Sequence, residues 1–144
     1  MKTCFLFGHR DTGDEIYPAL EAAIEAAIVE HGIQEFIVGH YGRFDRMAAR
    51  ALVTAKSKHR EIKLTLLFPY LTHFPLPEGF DGSIYPEGLE TVPKRFAIIQ
   101  ANYKIIDRCD LVIACLRYSH GGAYKCISHA QSKNKCILAL PISK

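Results

Sequence analysis

The chain is short of several things, and each shortage narrows what it can be. No apolar run approaches the length of a bilayer span, so no membrane-spanning helix is expected. The opening stretch, MKTCFLFGHR, lacks a long apolar core and a small-residue cleavage site, so it reads as a strand of the mature fold rather than a secretory leader. Charge of one sign is scarce: 18 Lys and Arg stand against 15 Asp and Glu, a net +3. That balance admits an anionic ligand. It lacks the concentrated basic face and the aromatic-basic groove pattern of a dedicated nucleic-acid binder, so nucleic acid is not expected as a partner.

Cysteine occurs five times, at 4, 109, 115, 126 and 136, in odd number and never as C-x-x-C. Most of these lie in or beside strand-like runs. They read as reduced, buried thiols of a cytoplasmic protein, not as a disulfide framework, a zinc cluster or a catalytic thiol. The dinucleotide fingerprint G-x-G-x-x-G and the phosphate loop G-x-x-x-x-G-K-[ST] are both absent, so neither standard NAD binding nor ATP hydrolysis follows, and no cofactor is expected. There is no internal repeat, low-complexity tract or linker, and 144 residues make a single domain, 1–144.

What is present is an alternation. Thr3 to Phe7 reads as a strand ending in Gly8-His9-Arg10. Apolar residues then recur at Ile16, Leu20, Ala23, Ile24, Ala27 and Ile28, a helical spacing that begins beside Asp14 and Glu15 and stops at Gly32. Glu35 to Val38 is a second strand, ending in Gly39-His40-Tyr41-Gly42, and a helix with Phe44, Met47, Ala48, Ala51, Leu52 and Ala55 on one face follows. Leu64 to Phe68 is a third strand. Prolines at 69, 75, 77, 86 and 93 then break the rhythm, and this stretch is either a functional flap or carries a short extra strand around Ser83 to Tyr85. Lys94 to Asp107 has helical spacing through Phe96, Ile99, Tyr103 and Ile106. Leu111 to Leu116 is a strand, Gly122 to Lys133 a helix and Cys136 to Leu140 the last strand.

Near-continuous apolar strands alternating with helices imply a parallel sheet covered on both faces. Right-handed crossovers favour an α/β fold: a Rossmann-like open, mainly parallel five-stranded sheet with helices on both faces, in the order 3-2-1-4-5. Such sheets bind ligands beyond the carboxyl ends of their strands, where the strand order reverses. Three glycine-containing turns fall on that edge. They supply the candidate ligand-binding residues: Gly8, His9 and Arg10; Gly39, His40, Tyr41 and Gly42, with Arg43 and Asp45; and Ser119, His120, Gly121, Gly122 and Ala123. Glycine lets a ligand approach the backbone, helix starts offer free N–H groups, and Arg10, Arg43 and Arg46 add positive charge, a combination suited to phosphate. His9, His40 and His120 read as ligand contacts or structural caps, and no metal is expected. Tyr41, Tyr70, Tyr118 and Tyr124 are candidates to stack on a base.

Four stretches carry a resemblance to a known family: FGHRD, VGHYGRFDRMAARAL, NYKIIDRCDLVIA and SHGGAYK. Together they resemble the SLOG superfamily, which groups the DNA-processing protein A fold with the lonely-guy phosphoribohydrolases, and within it a small single-domain member opening on GHR. The resemblance implies a Rossmann-like fold that binds nucleotides or nucleotide-derived ligands through these turns, and a homo-oligomer. Lonely-guy enzymes resemble PGG-x-GT-x-x-E with an Arg-Lys pair on the preceding helix. This chain departs from both: Lys125, Cys126 and Ile127 stand where the glutamate is needed, and the Arg-Lys positions fall at Ala101 and Asn102.

Two readings follow. The first is a module or sensor that binds a nucleotide or a phosphorylated sugar-nucleotide without lonely-guy-type catalysis. The second is a nucleotide N-glycosidase whose acid has been reassigned to Asp11, Asp14 or Asp45. Single-stranded DNA binding, by analogy with DNA-processing protein A, is opposed by the mild charge.

Overall fold

The computed structural model of the protein describes residues 1–69, 75–116 and 119–140. It is an α/β fold with six strands, β1 (Thr3–Gly8), β2 (Glu35–Val38), β3 (Lys63–Leu67), β4 (Gly82–Ile84), β5 (Leu111–Cys115) and β6 (Cys136–Ala139). Four helices cover them: α1 (Tyr17–Val29), α2 (Arg43–Lys58), α3 (Lys94–Arg108) and α4 (Gly122–Ser132). A short 3-10 turn, Asp14–Ile16, leads into α1, with proline in the first turn where no N–H is missed. Among the described residues no helix is long and apolar enough to cross a membrane.

The strand order is β4-β3-β2-β1-β5-β6 and every pairing is parallel. The five expected strands keep their expected order. The sixth is the extra strand foreseen around Ser83, which adds at the edge beside β3 and covers Gly82–Ile84. The Phe68 amide donates to the Ile84 carbonyl at 2.9 Å and the Asp81 amide to the Leu64 carbonyl at 2.9 Å, extending that pairing at both ends. Asp81 also accepts the Leu64 amide and the Lys56 ammonium, which anchors the segment entering β4 to α2.

Strand side chains alternate between two cores. Cys4, Leu6, Phe36, Val38, Leu64, Leu66, Leu111 and Ile113 face α1 and α2. Phe5, Phe7, Ile37, Leu67, Val112 and Ala114 face α3 and α4. At the amino-terminal end of the sheet Glu35 is buried on the second face. It accepts the Thr65 hydroxyl at 2.7 Å and the Thr3 hydroxyl at 3.4 Å, and lies 3.9 Å from the Lys63 ammonium. One carboxylate thus links β1, β2 and β3. The cysteines are all free, and Cys136 is exposed where the sequence suggested a buried thiol, because β6 is an edge strand.

The chain reverses direction across the sheet between β1 and β5. Strands β1 to β4 progress one way, with α1 and α2 between the first three on one face. Then α3 returns the chain to the far side of β1 across the other face. Phe44 of α2 locks the first half to this junction: it is fully buried, and its ring lies where a side chain on Gly8 would have to go, 2.6 Å away. Replacing Phe44 with alanine is expected to cost about 3–5 kcal/mol. The check is the midpoint of chemical denaturation, with an unchanged slope showing that the loss is in folded-state packing.

Candidate functional site

Parallel strands end together, so the three glycine turns share one edge of the sheet. After β1, the buried His9 turns the chain back: its carbonyl accepts the Thr12 amide at 3.2 Å and the Thr12 hydroxyl at 2.7 Å. The Arg10 carbonyl accepts the Arg43 amide at 2.8 Å, which ties this turn to the first residue of α2. The Arg10 side chain remains exposed.

Helices α2 and α4 begin alike. Gly42 precedes α2 with φ 104 and ψ −178, and Gly121 precedes α4 with φ 89 and ψ −176. This extended, positive-φ conformation is open essentially to glycine alone. Among the described residues no side chain caps either helix start. First-turn amides have no partner within a helix; at α2 the Arg10 carbonyl takes that of Arg43. The two starts differ in charge: α2 carries Asp45 in its first turn, whereas α4 carries no acid there, so the positive end of α4 is uncompensated from within.

Between these turns lies a cavity of about 570 Å³. One wall is polar: Gly8, His9, Arg10, Asp11, Gly39, Tyr41, Asp45, His120, Gly121, Gly122, Ala123 and Lys125. The other is largely apolar, with Phe5, Phe7 and Leu67 from the sheet and Phe96, Ile99 and Asn102 from α3. Ten of the fourteen residues expected from the sequence line it. The other four do not: Gly42 packs against Arg10, Arg43 reaches Asp14 at 3.9 Å, His40 packs on Phe68 at 5.0 Å between ring centres, and Ser119 stays exposed outside. Burial holds His40 below the usual histidine range, against an opposing hydrogen bond with the Leu67 backbone. Tyr124 does not line the cavity, and Tyr70 and Tyr118 lie outside the described residues. Among the described residues no group of three or more His, Cys, Asp or Glu stands together to hold a metal ion.

The apolar wall was the part missed from sequence. Phe96, Ile99 and Asn102 recur every third residue, so they share a helix face. That face borders the cavity, while Ala97, Ala101, Ile105 and Ile106 supply the buried contacts of α3. Ala101 and Asn102, where the lonely-guy resemblance calls for Arg and Lys, do line the cavity but bring no charge, and Asn102 donates to the Cys126 sulfur at 3.5 Å. Burial pushes the Cys126 thiol up to about 12, with Asn102 opposing and Asp45 adding to the shift, so it is no nucleophile at neutral pH.

Asp45 is the unusual acid. Its Oδ2 accepts the Tyr41 amide at 2.8 Å and lies 3.0 Å from where a side chain on Gly39 would begin. Burial raises its carboxyl from 3.8 to about 7, against the lowering effects of the Tyr41 amide and the charges of Arg10 and Arg46.

No family model matches the chain. No curated protein matches it in sequence. A solved structure of DNA processing protein A from Helicobacter pylori, described as having a unique single-stranded DNA binding mode, superposes with a TM-score of 0.70 at 17% identity, over 99% of this chain and 66% of that one. The likeness supports a DNA-processing-protein-A-like fold, and the chain spans less than two thirds of that structure's length. It overturns the expectation that nucleic acid is no partner for a chain of this kind, since a protein of the same fold binds single-stranded DNA. The physical fault lay in averaging: a net +3 over 144 residues says nothing of a few cations and amides gathered at one edge.

Two measurements test the local chemistry. Gly121→Ala is expected to lose about 1–3 kcal/mol of stability from backbone strain. Gly122→Ala should cost far less, because its added atom meets nothing within 4 Å and its φ is not positive. For Asp45, a folded-state value above the unfolded one means the folded chain holds the proton more tightly. Its contribution to stability is therefore best at low pH and declines as pH rises from 3.8 through about 7, by at most roughly 1.4 kcal/mol per pH unit. Asp45→Asn should flatten that decline in denaturation midpoints measured across the window.

Proposed function

We propose that this protein is a SLOG-type, cytoplasmic module that binds a nucleotide or nucleotide-derived ligand without lonely-guy-type catalysis. The observation that carries the reading is the cavity at the β1/β5 reversal, with glycine turns and the start of α4 on one wall and Phe7, Leu67, Phe96 and Ile99 on the other. Phosphate suits the first wall, by exposed amides and Arg10 and Lys125. A base suits the second, by its apolar and aromatic side chains. A volume of about 570 Å³ is of the size that encloses one small ligand. The lonely-guy acid and its Arg-Lys pair are replaced by Lys125, Ala101 and Asn102, which argues for binding over turnover.

A second form of the ligand is favoured by one observation: Phe96, 48% exposed, lines the cavity and offers a ring to a base of a single strand, the ligand class of the solved neighbour. A nucleotide at the end of a strand meets the same two walls as a free one.

Calorimetric titration of the wild type with AMP, ADP-ribose, NAD and a 5′-phosphorylated single-stranded DNA oligonucleotide tests both forms. Arg10→Ala is expected to weaken binding about tenfold to a hundredfold, the loss of one contact to a charged group of about 1.5–3 kcal/mol. Gly122→Trp should abolish it by filling the cavity. Unchanged affinity in both variants would put the ligand elsewhere, and free base appearing on chromatography would show that another acid performs catalysis.

A further inference from the structure

We propose that the cavity takes up an anion and a proton together, the proton going to Asp45, whose carboxyl lies in the cavity wall against Gly39 and the Tyr41 amide. The inference rests on the cavity being an anion site, and adds that Asp45 sets when it is one.

Asp45 is held by the Tyr41 amide and lines the cavity. The groups around it come from every neighbouring element. The turn after β1 brings His9, Arg10 and Asp11, and α2 brings Arg46. His120 precedes α4, and Lys125 and Cys126 stand in its first turns. The α3 wall brings only the neutral Asn102 and apolar side chains. An ionised Asp45 thus shares the site with Arg10, whose charge stabilises it. An arriving phosphate monoester acts on the carboxyl in two ways at once. Its own negative charge repels the carboxylate, which burial shields from water, and it draws Arg10 away as a counter-ion. Both changes favour the neutral acid. With the free carboxyl already raised to about 7, uptake of one proton falls in the neutral range. By reciprocity, protonation of Asp45 must tighten the anion by the same factor.

Asparagine mimics the neutral acid in shape and still accepts the Tyr41 amide. Asp45→Asn should therefore bind AMP more tightly than the wild type at pH about 8, by up to about tenfold in all, the limit set at that pH by a free carboxyl at about 7. A role of Asp45 as a ligand-accepting carboxylate predicts the opposite. The direct readout is the carbon-13 carboxyl resonance of Asp45, titrated in the wild type with and without saturating AMP, with sulfate as an anion that does not itself titrate in this range. An upward move of the midpoint with both anions supports the proposal. A midpoint that stays or falls while AMP binds overturns it and leaves the nucleotide reading standing. Failure of both AMP and sulfate to bind overturns the two readings together. Tighter binding by the wild type than by Asp45→Asn at pH about 8 also overturns it.

Discussion

The constraint on which everything else depends is that all six strands run the same way. A parallel strand delivers its chain to one edge, and each returning helix must start there. The polar loose ends of the fold, three glycine turns and two helix starts that begin on glycine, are thereby gathered on one side. At the β1/β5 reversal the helices part to opposite faces, and the space left between them is the cavity.

Its two walls differ because they are built from different parts of the chain. Turns build one, and turns expose backbone. The other is the upper end of the second core, where Phe7, Leu67 and α3 would meet if the space were filled. Asp45 stands at the seam between the two, which explains both its hydrogen bond to the Tyr41 amide and its poor hydration.

The strand order and the common edge were legible because apolar runs and glycine turns are local signals, and parallel topology leaves few ways to arrange them. The residues on the edge were legible only in part. Arg43 and His40 stand beside cavity residues in sequence, yet a helix start and a strand end turn alternate side chains away from one another. Phe96 and Ile99 show in the sequence only as helical spacing, which gives the period and not the use. A helix face that borders a cavity has the same apolar pattern as one that borders a sheet. The short β4 showed itself only as a break in a proline-rich stretch, since three residues carry no periodicity to speak of. Overall charge could not exclude nucleic acid as a partner because it has no spatial content.

Far from the cavity, Glu35 joins Thr3 and Thr65 across three strands on the buried second face. A slip of one residue in β2 would turn that carboxylate into the opposite core, among Cys4, Leu64 and Leu111, with no hydroxyl to meet it. The carboxylate therefore works as an alignment key. Because the strands are rigid over so few residues, the level at which β2 is keyed at its start is the level at which Gly39 emerges at its end. The distance between the glycine turns is set by a group at the opposite end of the sheet.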